Sequence, residues 1–321
     1  MLRDSITRRL RSALDLFRYN AHLARLMKRE NVSAVYCNSI RSLLLAGVGA
    51  RMAGVPALWY VKGALDNPLL DTIGFLLASR IAFFCETNRD DRYPLLVRLF
   101  RKRIRIIEIG LDRAVIDRVE NSDKTQLREE LDIRPERLNA IVLGQVYAPK
   151  GQHFVLEGMR EIVNAYPNFM LYIAGDAVLK EYESYTNSLH DIIKRDGLEN
   201  NVRFLGWRTD ALELLTLMDI MIHPSLAEGF GRAVLEAMAV GRPVVASRVG
   251  GLREIIRDGE NGFLITPGST HEIVDRVLQL AGDPALREKF SRAAKREVMA
   301  NYLIEDKVKK LESLWLEMAA S

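Results

Sequence analysis

Short runs of Val, Ile and Leu alternate along the chain with longer segments in which apolar residues recur at helical spacing. The pattern predicts a basic amphipathic helix over residues 3–30. It then predicts strands at 32–37, 57–61, 80–85 and 104–107, with helices between them at 39–53, 69–77 and 89–101. Residues 110–123 are mostly polar and are predicted to form a linker.

The second half keeps the same rhythm. Strands are predicted at 140–144, 169–174, 202–205, 219–223, 243–246 and 262–265, and helices at 152–165, 181–196, 209–217, 231–240, 251–257 and 270–281. Two more helices, at 284–300 and 303–318, end the chain. Continuously apolar strands that alternate with helices indicate parallel sheets covered on both faces. We therefore expect an α/β protein with two parallel-sheet domains, residues 1–118 and 119–300, followed by a helical segment at 301–321.

The charge of the chain is uneven, although its net value is only +4 over 321 residues. Residues 1–120 contain 21 Lys and Arg against 12 Asp and Glu, which gives +9 for that part and −5 for the rest. A basic first half suggests an anionic partner such as a membrane surface or a polyphosphate lipid. An ordinary solvated basic face explains it equally well. Nucleic acid is not expected, because no nucleic-acid-binding motif is present.

Cysteine use points to a reducing compartment. Cys37 and Cys85 each lie in an apolar, strand-like run and are expected to be buried free thiols in the cytoplasm. No Cys or His spacing is typical of a metal site, so no metal ligand is predicted. Together with the basic first half, this favours a cytoplasmic protein, with a peripheral position at the inner membrane face as a further expectation.

Two carboxylates flank a predicted strand-to-helix junction. Glu228 follows the apolar run 219–223 and a turn, and Glu236 lies in the helix that comes next. Carboxylates accept hydrogen bonds from sugar hydroxyls, whereas a helix N-terminus attracts phosphate. Gly229 and Gly231 let the backbone approach a ligand closely. A pair of solvated glutamates at a helix start is the plain alternative.

The sequence around this junction resembles the retaining GT-B glycosyltransferases of the group 1 family (family 4). Residues 219–268 carry the resemblance through the segments Glu-Gly-Phe-Gly at 228–231, Leu-Glu-Ala-Met-Ala at 235–239 and Gly-Arg-Pro-Val-Val-Ala-Ser at 241–247. Upstream, residues 144–152 are similar to the family's phosphate loop, and residues 171–176 and 201–206 to its next two strands. The resemblance implies two Rossmann-like domains, with residues 301–321 packing back on the first.

The resemblance also implies a nucleotide-sugar donor site. Lys150, in a Pro-Lys-Gly turn between a strand and a helix, would neutralise the diphosphate in place of a metal ion. Glu228 would contact the donor sugar near the reacting carbon, and these two residues are the predicted catalytic pair. Glu236 would accept hydrogen bonds from both ribose hydroxyls. The remaining donor-binding residues would act through their backbones: Phe204, Leu205 and Gly206 at the base, and Gly229, Phe230 and Gly231 at the sugar and diphosphate.

Two positions differ from the family pattern. Gln145 stands where the family usually has Arg, so the diphosphate would be held less strongly unless Arg232 or another base compensates. Lys62, followed by Gly63, stands near the place where many relatives have a His that faces donor and acceptor. Lys62 could bind an acceptor phosphate or be an ordinary loop cation. His153 and His223 are considered as acid–base residues, but packing and turn roles are favoured for both.

The implied reaction transfers a sugar from a nucleotide-diphosphate-sugar to an acceptor hydroxyl with retention at the anomeric carbon. No cofactor is required, and the acceptor is expected to be a cell-surface glycan or a lipid-linked one. The first strands of the family's first domain and its glycine-rich loop are not recognised here, so that domain is expected to be truncated. This and Gln145 favour an alternative, a non-catalytic nucleotide-sugar-binding or partner subunit. A dehydrogenase is not expected, because no Gly-x-Gly-x-x-Gly follows a strand.

Overall fold

The structure is a computed structural model. It describes residues 2–62, 65, 67–90 and 93–320, with side chains in these ranges except those of residues 2–13, 88 and 90. The chain divides into two compact units, which we call the first unit (residues 1–108 and 306–321) and the second unit (residues 109–305). Each contains one parallel sheet, as the alternation of strands and helices predicted.

The first unit begins with α1 and builds a four-stranded sheet. Its elements in chain order are α1 (Leu2–Arg29), β1 (Val35–Cys37), α2 (Ile40–Ala53), β2 (Ala57–Val61), α3 (Pro68–Leu77), β3 (Arg80–Phe83), α4 (Glu86–Asp90), α5 (Pro94–Phe100) and β4 (Ile104–Ile106). The strands lie side by side in the order β1-β2-β3-β4, and all of them are parallel. Trp59 of β2 is 2% exposed and packs edge-on against Phe75 of α3, which joins the sheet to its helical layer.

The second unit contains a six-stranded parallel sheet between two helical layers. Its elements are α6 (Arg113–Asn121), α7 (Thr125–Glu130), β5 (Leu138–Leu143), α8 (Gln152–Ala165), β6 (Phe169–Ala174), α9 (Glu183–Asp196), β7 (Val202–Gly206), α10 (Ala211–Thr216), β8 (Ile220–His223), α11 (Arg232–Ala239), β9 (Val244–Ser247), α12 (Leu252–Ile255), β10 (Phe263–Ile265), α13 (Thr270–Gly282) and α14 (Pro284–Asn301). The strand order is β10-β9-β8-β5-β6-β7. The strands β5, β6, β8 and β9 lie inside this sheet, and β6 is buried along its whole length.

The last helix, α15 (Ile304–Ala319), belongs to the first unit from residue 306 onward. Glu108 accepts hydrogen bonds from Lys307 at 3.1 Å and from Lys310 at 3.0 Å. Burial by itself would raise the pKa of Glu108, but its hydrogen bonds and the charge of Lys307 outweigh burial and lower the pKa. The bonds between these lysines and Glu108 fix the start of α15 to the end of the first sheet.

Two sequence predictions were wrong. The predicted linker at 110–123 contains the helix α6, whose side chains Ile116 and Val119 are buried. The Asp112 carboxylate caps this helix by accepting from the amides of Ala114 and Val115, so a polar start hid an amphipathic segment. The predicted helix 89–101 is two helices, α4 and α5, because Pro94 begins a new helix and lacks the N–H that would continue an earlier one.

In the described ranges, none of the helices has both the length and the apolar character that crossing a lipid bilayer requires. Cys37 and Cys85 are both buried and neither forms a disulfide, as expected from their apolar surroundings.

Candidate active site

Parallel pairing brings two loops of the second unit side by side. The strands β5 and β8 are neighbours in register, with Ala140 opposite Ile220 and Ile141 opposite Met221. Because both strands run in the same direction, the loop after β5 (residues 144–151) and the loop after β8 (residues 224–231) leave the same edge of the sheet. All the residues predicted from the Glu-Gly-Phe-Gly segment and the phosphate loop therefore lie at this edge.

Gly151 sets the distance between the two loops. Its φ is +74°, a left-handed conformation, and a Cβ at this position would lie 2.3 Å from the carbonyl oxygen of Pro224. Only glycine allows both the turn and the close approach. The amide of Leu226 also donates to the carbonyl of Pro149 at 2.8 Å, which ties the second loop to the first.

The two loops place Lys150 and Glu228 in an ion pair. Lys150 Nζ lies 2.6 Å from Glu228 Oε2, and the two side chains are 20% and 16% exposed. Lys150 is the last residue of a 3₁₀ turn at Ala148–Lys150, and only Gly151 separates it from α8. The ammonium has three N–H donors and gives one of them to Glu228, so it retains donors for a ligand.

His223 is a third member of this cluster, which we call the Lys150–Glu228–His223 cluster. It ends β8, is 3% exposed, and its Nε2 lies 3.0 Å from Glu228 Oε2. Ser225 Oγ lies 3.2 Å from the same nitrogen. An ionised carboxylate can only accept, so Nε2 carries a hydrogen and donates a hydrogen bond to Glu228. The sequence favoured a packing role for His223. Its position at a strand end beside a candidate carboxylate was the signal for a role at the site.

The cluster keeps Glu228 ionised. Burial alone would raise its pKa, but the hydrogen bond from His223 and the charges of His223 and Lys150 outweigh burial and lower the pKa to about 2. Glu228 also accepts from the amide of Gly229 at 3.2 Å. The carboxylate is therefore a hydrogen-bond acceptor over the whole neutral pH range, and it has no proton to donate as a general acid.

The loop that carries Glu228 is closely packed from behind. A Cβ at Gly250 would lie 1.9 Å from the carbonyl oxygen of Glu228, and the amide of Gly251 donates to the carbonyl of Gly229. The Phe230 side chain is 4% exposed and packs edge-on against Tyr302, with ring centroids 6.0 Å apart. Phe230 thus anchors the loop, and Gly231, at φ +97°, begins α11.

Glu236 lies one turn inside α11 beside a small cavity. Its Oε1 accepts from Arg232 Nε at 2.8 Å, and its side chain is 19% exposed. The cavity has a volume of about 180 Å³ and is also lined by Asp112, Leu212 and Ile304 of the same unit. Arg232 was predicted to compensate for the missing positive charge at Gln145. Its side chain is 67% exposed and lies on the same face of α11 as Glu236.

The other predicted donor-binding residues lie in the loop after β5 and at the end of β7. Gln145 is half-buried in the loop after β5, and its carbonyl accepts from Gln152 at 2.9 Å. Phe204, Leu205 and Gly206 end β7, the edge strand of the sheet, and the Gly206 carbonyl accepts from the amide of Gly175.

His153 and Lys62 are the two remaining side chains for which the sequence suggested a role at the site. His153 binds Tyr185 through Nδ1 at 2.8 Å, and its pKa is lowered by burial, in agreement with a packing role. Lys62 follows β2 in the first unit and is exposed, and Gly63 lies outside the described residues. In the ranges that the structure describes, no group of three or more His, Cys, Asp or Glu side chains is arranged to hold a metal ion.

Comparison with solved structures defines the class of the fold. The structure of HepE from Anabaena, solved in complex with UDP, superimposes with a TM-score of 0.83 at 23% sequence identity, and the match covers 93% of this chain and 82% of that one. The architecture is therefore the α/β GT-B architecture with two parallel-sheet domains, as the sequence predicted.

The sequence matches place the chain in a family. The family model described as Glycosyl transferases group 1 matches residues 123–297, more than half of the chain. The chain belongs to this family. It is 29% identical to the N-acetyl-alpha-D-glucosaminyl L-malate synthase of Bacillus anthracis over 61% of its own length, and spans about 50% of that relative. It is 24% identical to the UDP-Gal:alpha-D-GlcNAc-diphosphoundecaprenol alpha-1,3-galactosyltransferase of Escherichia coli, over 93% of this chain and 79% of that protein.

The close approach at Gly151 leads to a first prediction. Gly151→Ala should lower the free energy of unfolding by roughly 2–3 kcal/mol, because the new methyl group meets the Pro224 carbonyl as well as the left-handed backbone. Gly197→Ala is the matched control: its φ is +66°, and a Cβ there meets nothing within 4 Å, so only about 1 kcal/mol is expected. Chemical denaturation measures both. Equal losses would mean that the contact between the two loops is unimportant.

The depressed pKa of Glu228 predicts a pH dependence of stability. A carboxylate with a lowered pKa stabilises the folded state above its ordinary pKa near 4.5 and loses that contribution as the pH falls towards 2. Glu228→Gln should therefore cost roughly 1.5–3 kcal/mol at neutral pH, and the difference from the unmodified protein should shrink steadily below about pH 4.5. Thermal unfolding across this range measures it. A pH-independent difference would contradict the ionised pair.

Proposed function

We propose that this chain is a retaining glycosyltransferase that moves a hexosyl group from a nucleotide-diphosphate-sugar to an acceptor hydroxyl. The observation that carries the proposal is the Lys150–Glu228 ion pair at the carboxyl ends of β5 and β8. It offers a cation to phosphate and a permanently ionised acceptor to sugar hydroxyls within one small region. Membership of the glycosyl transferases group 1 family supports the same reaction class.

Lys150 binds the donor diphosphate in this proposal. Its ammonium adds positive charge beside the leaving group, which is the task that a divalent cation performs in other transferases, so the reaction proceeds without metal. The helix α8 begins at Gln152 and offers the amide of this residue, because the amides of His153 and Phe154 already donate to Tyr185 and to the Gly151 carbonyl. Glu228 contacts a hydroxyl of the donor sugar and keeps Lys150 oriented before the donor arrives.

The chemical step needs no dedicated protein base. The bond between the anomeric carbon and the phosphate oxygen breaks, and the acceptor oxygen bonds to the same face of that carbon. The acceptor proton passes to the departing phosphate oxygen. Glu228, with a pKa of about 2, stays ionised throughout and stabilises the positive charge that develops on the sugar. This division of work accounts for retention of the anomeric configuration.

Glu236 binds the ribose, and the edge of β7 binds the base. One oxygen of the Glu236 carboxylate is engaged by Arg232, and the side chain faces a cavity of about 180 Å³. Phe204, Leu205 and Gly206 supply backbone groups for the base. The amides of Gly229, Phe230 and Gly231, before α11, contribute to the sugar and the diphosphate.

We infer an acceptor on a cell-surface polysaccharide or a lipid-linked glycan, used at the inner membrane face. The printed name of the Escherichia coli relative includes a diphosphoundecaprenol-linked acceptor, and the first 120 residues of this chain carry an excess of positive charge. Lys62 is exposed after β2 and is proposed to bind an acceptor phosphate together with Gly63.

The test uses the purified chain with UDP-, GDP-, ADP- and CMP-sugars in the presence of a metal chelator. We expect one donor to raise the melting temperature. Transfer or slow hydrolysis of that donor should give a product that keeps the donor's anomeric configuration, which proton NMR detects. Inversion would contradict the proposed mechanism. Donor binding without any turnover would instead support the non-catalytic partner subunit that Gln145 favours.

The ribose assignment predicts the effect of one substitution. Glu236→Ala should weaken binding of the donor by about 1–3 kcal/mol, because two hydrogen bonds to ribose are lost. The matched control is Glu199→Ala, which removes an exposed carboxylate in the same unit. Isothermal calorimetry measures both variants. Unchanged affinity in Glu236→Ala would exclude Glu236 as the ribose ligand.

The uncharged side chain of Gln145 predicts that a positive charge at this position would tighten donor binding. Gln145→Arg should tighten donor binding by about tenfold, since a guanidinium beside the diphosphate adds a charge-assisted hydrogen bond. The binding of the nucleoside without phosphates should not change. A neutral or weakening effect would indicate that Arg232 already supplies the missing charge.

A further inference from the structure

The first unit contains a cavity at the opposite end of its sheet from the strand ends where parallel-sheet proteins bind substrates. The cavity has a volume of about 700 Å³ and lies where β2 begins at Ala57 and β3 begins at Arg80. Its size falls within the range of small-molecule sites. None of the residues in the proposed function lines this cavity.

Three arginines line this cavity, which we call the arginine cavity. Arg51 comes from the end of α2, Arg80 from the start of β3, and Arg103 from the segment between α5 and β4. Their guanidinium groups converge on one turn. Arg51 donates to the carbonyl of Leu76 at 3.3 Å, Arg103 to that of Ala78 at 3.5 Å, and Arg80 to that of Ser79 at 3.1 Å.

The acidic partners of these arginines are few. Arg80 pairs with Glu317 at 2.6 Å, and Glu317 also pairs with Arg105. Within the described ranges, Arg51 and Arg103 have no carboxylate within 4.0 Å. None of the residues that line the cavity is Asp or Glu. A guanidinium has five N–H donors, so Arg51 and Arg103 keep most of theirs for a ligand.

Capping of helix ends is the simplest alternative role for the arginines. Both α2 and α3 end at the cavity, and each helix C-terminus carries about half a negative charge. The two ends together supply about −1, and Glu317 supplies at most another −1, against three arginine charges. About one positive charge or more is therefore left over, which capping does not require.

The rest of the wall is apolar. Val55, Pro56, Leu77 and Phe100 line the cavity, and Leu76, which is 54% exposed, lies at its rim. Arg103 lies over the ring of Phe100 at 5.3 Å, so the charge and the apolar surface adjoin. A small inorganic anion would bind the arginines but make no contact with this apolar wall.

We propose that the arginine cavity binds a phosphorylated amphiphile, with the phosphate on Arg51 and Arg103 and the apolar part along Leu76 and Phe100. The phosphate can come from a free amphiphile or from a lipid in a membrane. The arginine cavity shares no residue with the candidate donor site, and the proposal does not depend on glycosyl transfer.

The experiment uses the full chain and a soluble short-chain lipid, dihexanoyl phosphatidic acid, with inorganic phosphate as the head group alone. We expect calorimetry to detect binding of the lipid, and we expect inorganic phosphate to bind at least about tenfold more weakly than the lipid. The double variant Arg51→Gln/Arg103→Gln should lose at least about tenfold in lipid affinity. The control Arg128→Gln/Arg296→Gln removes the same charge from exposed positions of the second unit and should bind unchanged.

A second arm distinguishes the two sources. Sedimentation with phosphatidylcholine vesicles that contain phosphatidic acid, but not with pure phosphatidylcholine, would identify a membrane lipid. Binding of the soluble lipid alone would identify a free amphiphile. No lipid binding, or equal losses in both double variants, would overturn the proposal. If the Arg51→Gln/Arg103→Gln variant fails to fold, the single exposed substitution Arg51→Gln provides the same test.

Discussion

The parallel pairing of β5 with β8 is the constraint on which the candidate active site depends. It requires the loop after each strand to leave the same edge of the sheet, so residues 78 positions apart in sequence meet as the Lys150–Glu228 pair. The pairing alone would leave the loops at the spacing of neighbouring strands, roughly 5 Å between backbones. Gly151 lets the backbone approach the Pro224 carbonyl, and this contact aligns the two side chains.

Electrostatics then sets what the cluster can do. A half-buried carboxylate would ordinarily become a weaker acid, yet Lys150 and His223 reverse this and keep Glu228 charged. Both side chains also contact the carboxylate, so the three groups are oriented before any ligand arrives. Preorganised charge of this kind stabilises a transition state without rearrangement at the moment of reaction. The same geometry makes Glu228 unsuitable as an acid, which is consistent with a leaving phosphate that accepts the proton.

Much of the second unit could be predicted from the sequence because its strands are short, continuous and apolar, and its turns carry glycine and proline. The segment 219–247 gave both the elements and the carboxylates. The contacts that the sequence did not reveal are confined to single helices and turns. The helix α6 looked like a linker because only Ile116 and Val119 are buried on it. The contact of His223 with Glu228, five positions away across a turn, was likewise not predicted. Neither contact has a periodicity that a sequence displays.

The arginine cavity was missed for a different reason. Arg51, Arg80 and Arg103 belong to three segments with no common motif. Only the packing of α2, β3 and the segment before β4 around the end of α3 brings them to one turn. The sequence showed the excess of positive charge in the first half but not its position.

The central claim is that Lys150 and Glu228 bind opposite parts of one donor. A crystal structure of the chain with a nucleoside diphosphate and its sugar donor tests it most directly. We expect the diphosphate within hydrogen-bond distance of Lys150 Nζ and a sugar hydroxyl on Glu228, with the ribose at Glu236. A nucleotide bound elsewhere, with the ion pair between Lys150 and Glu228 untouched, would contradict these roles.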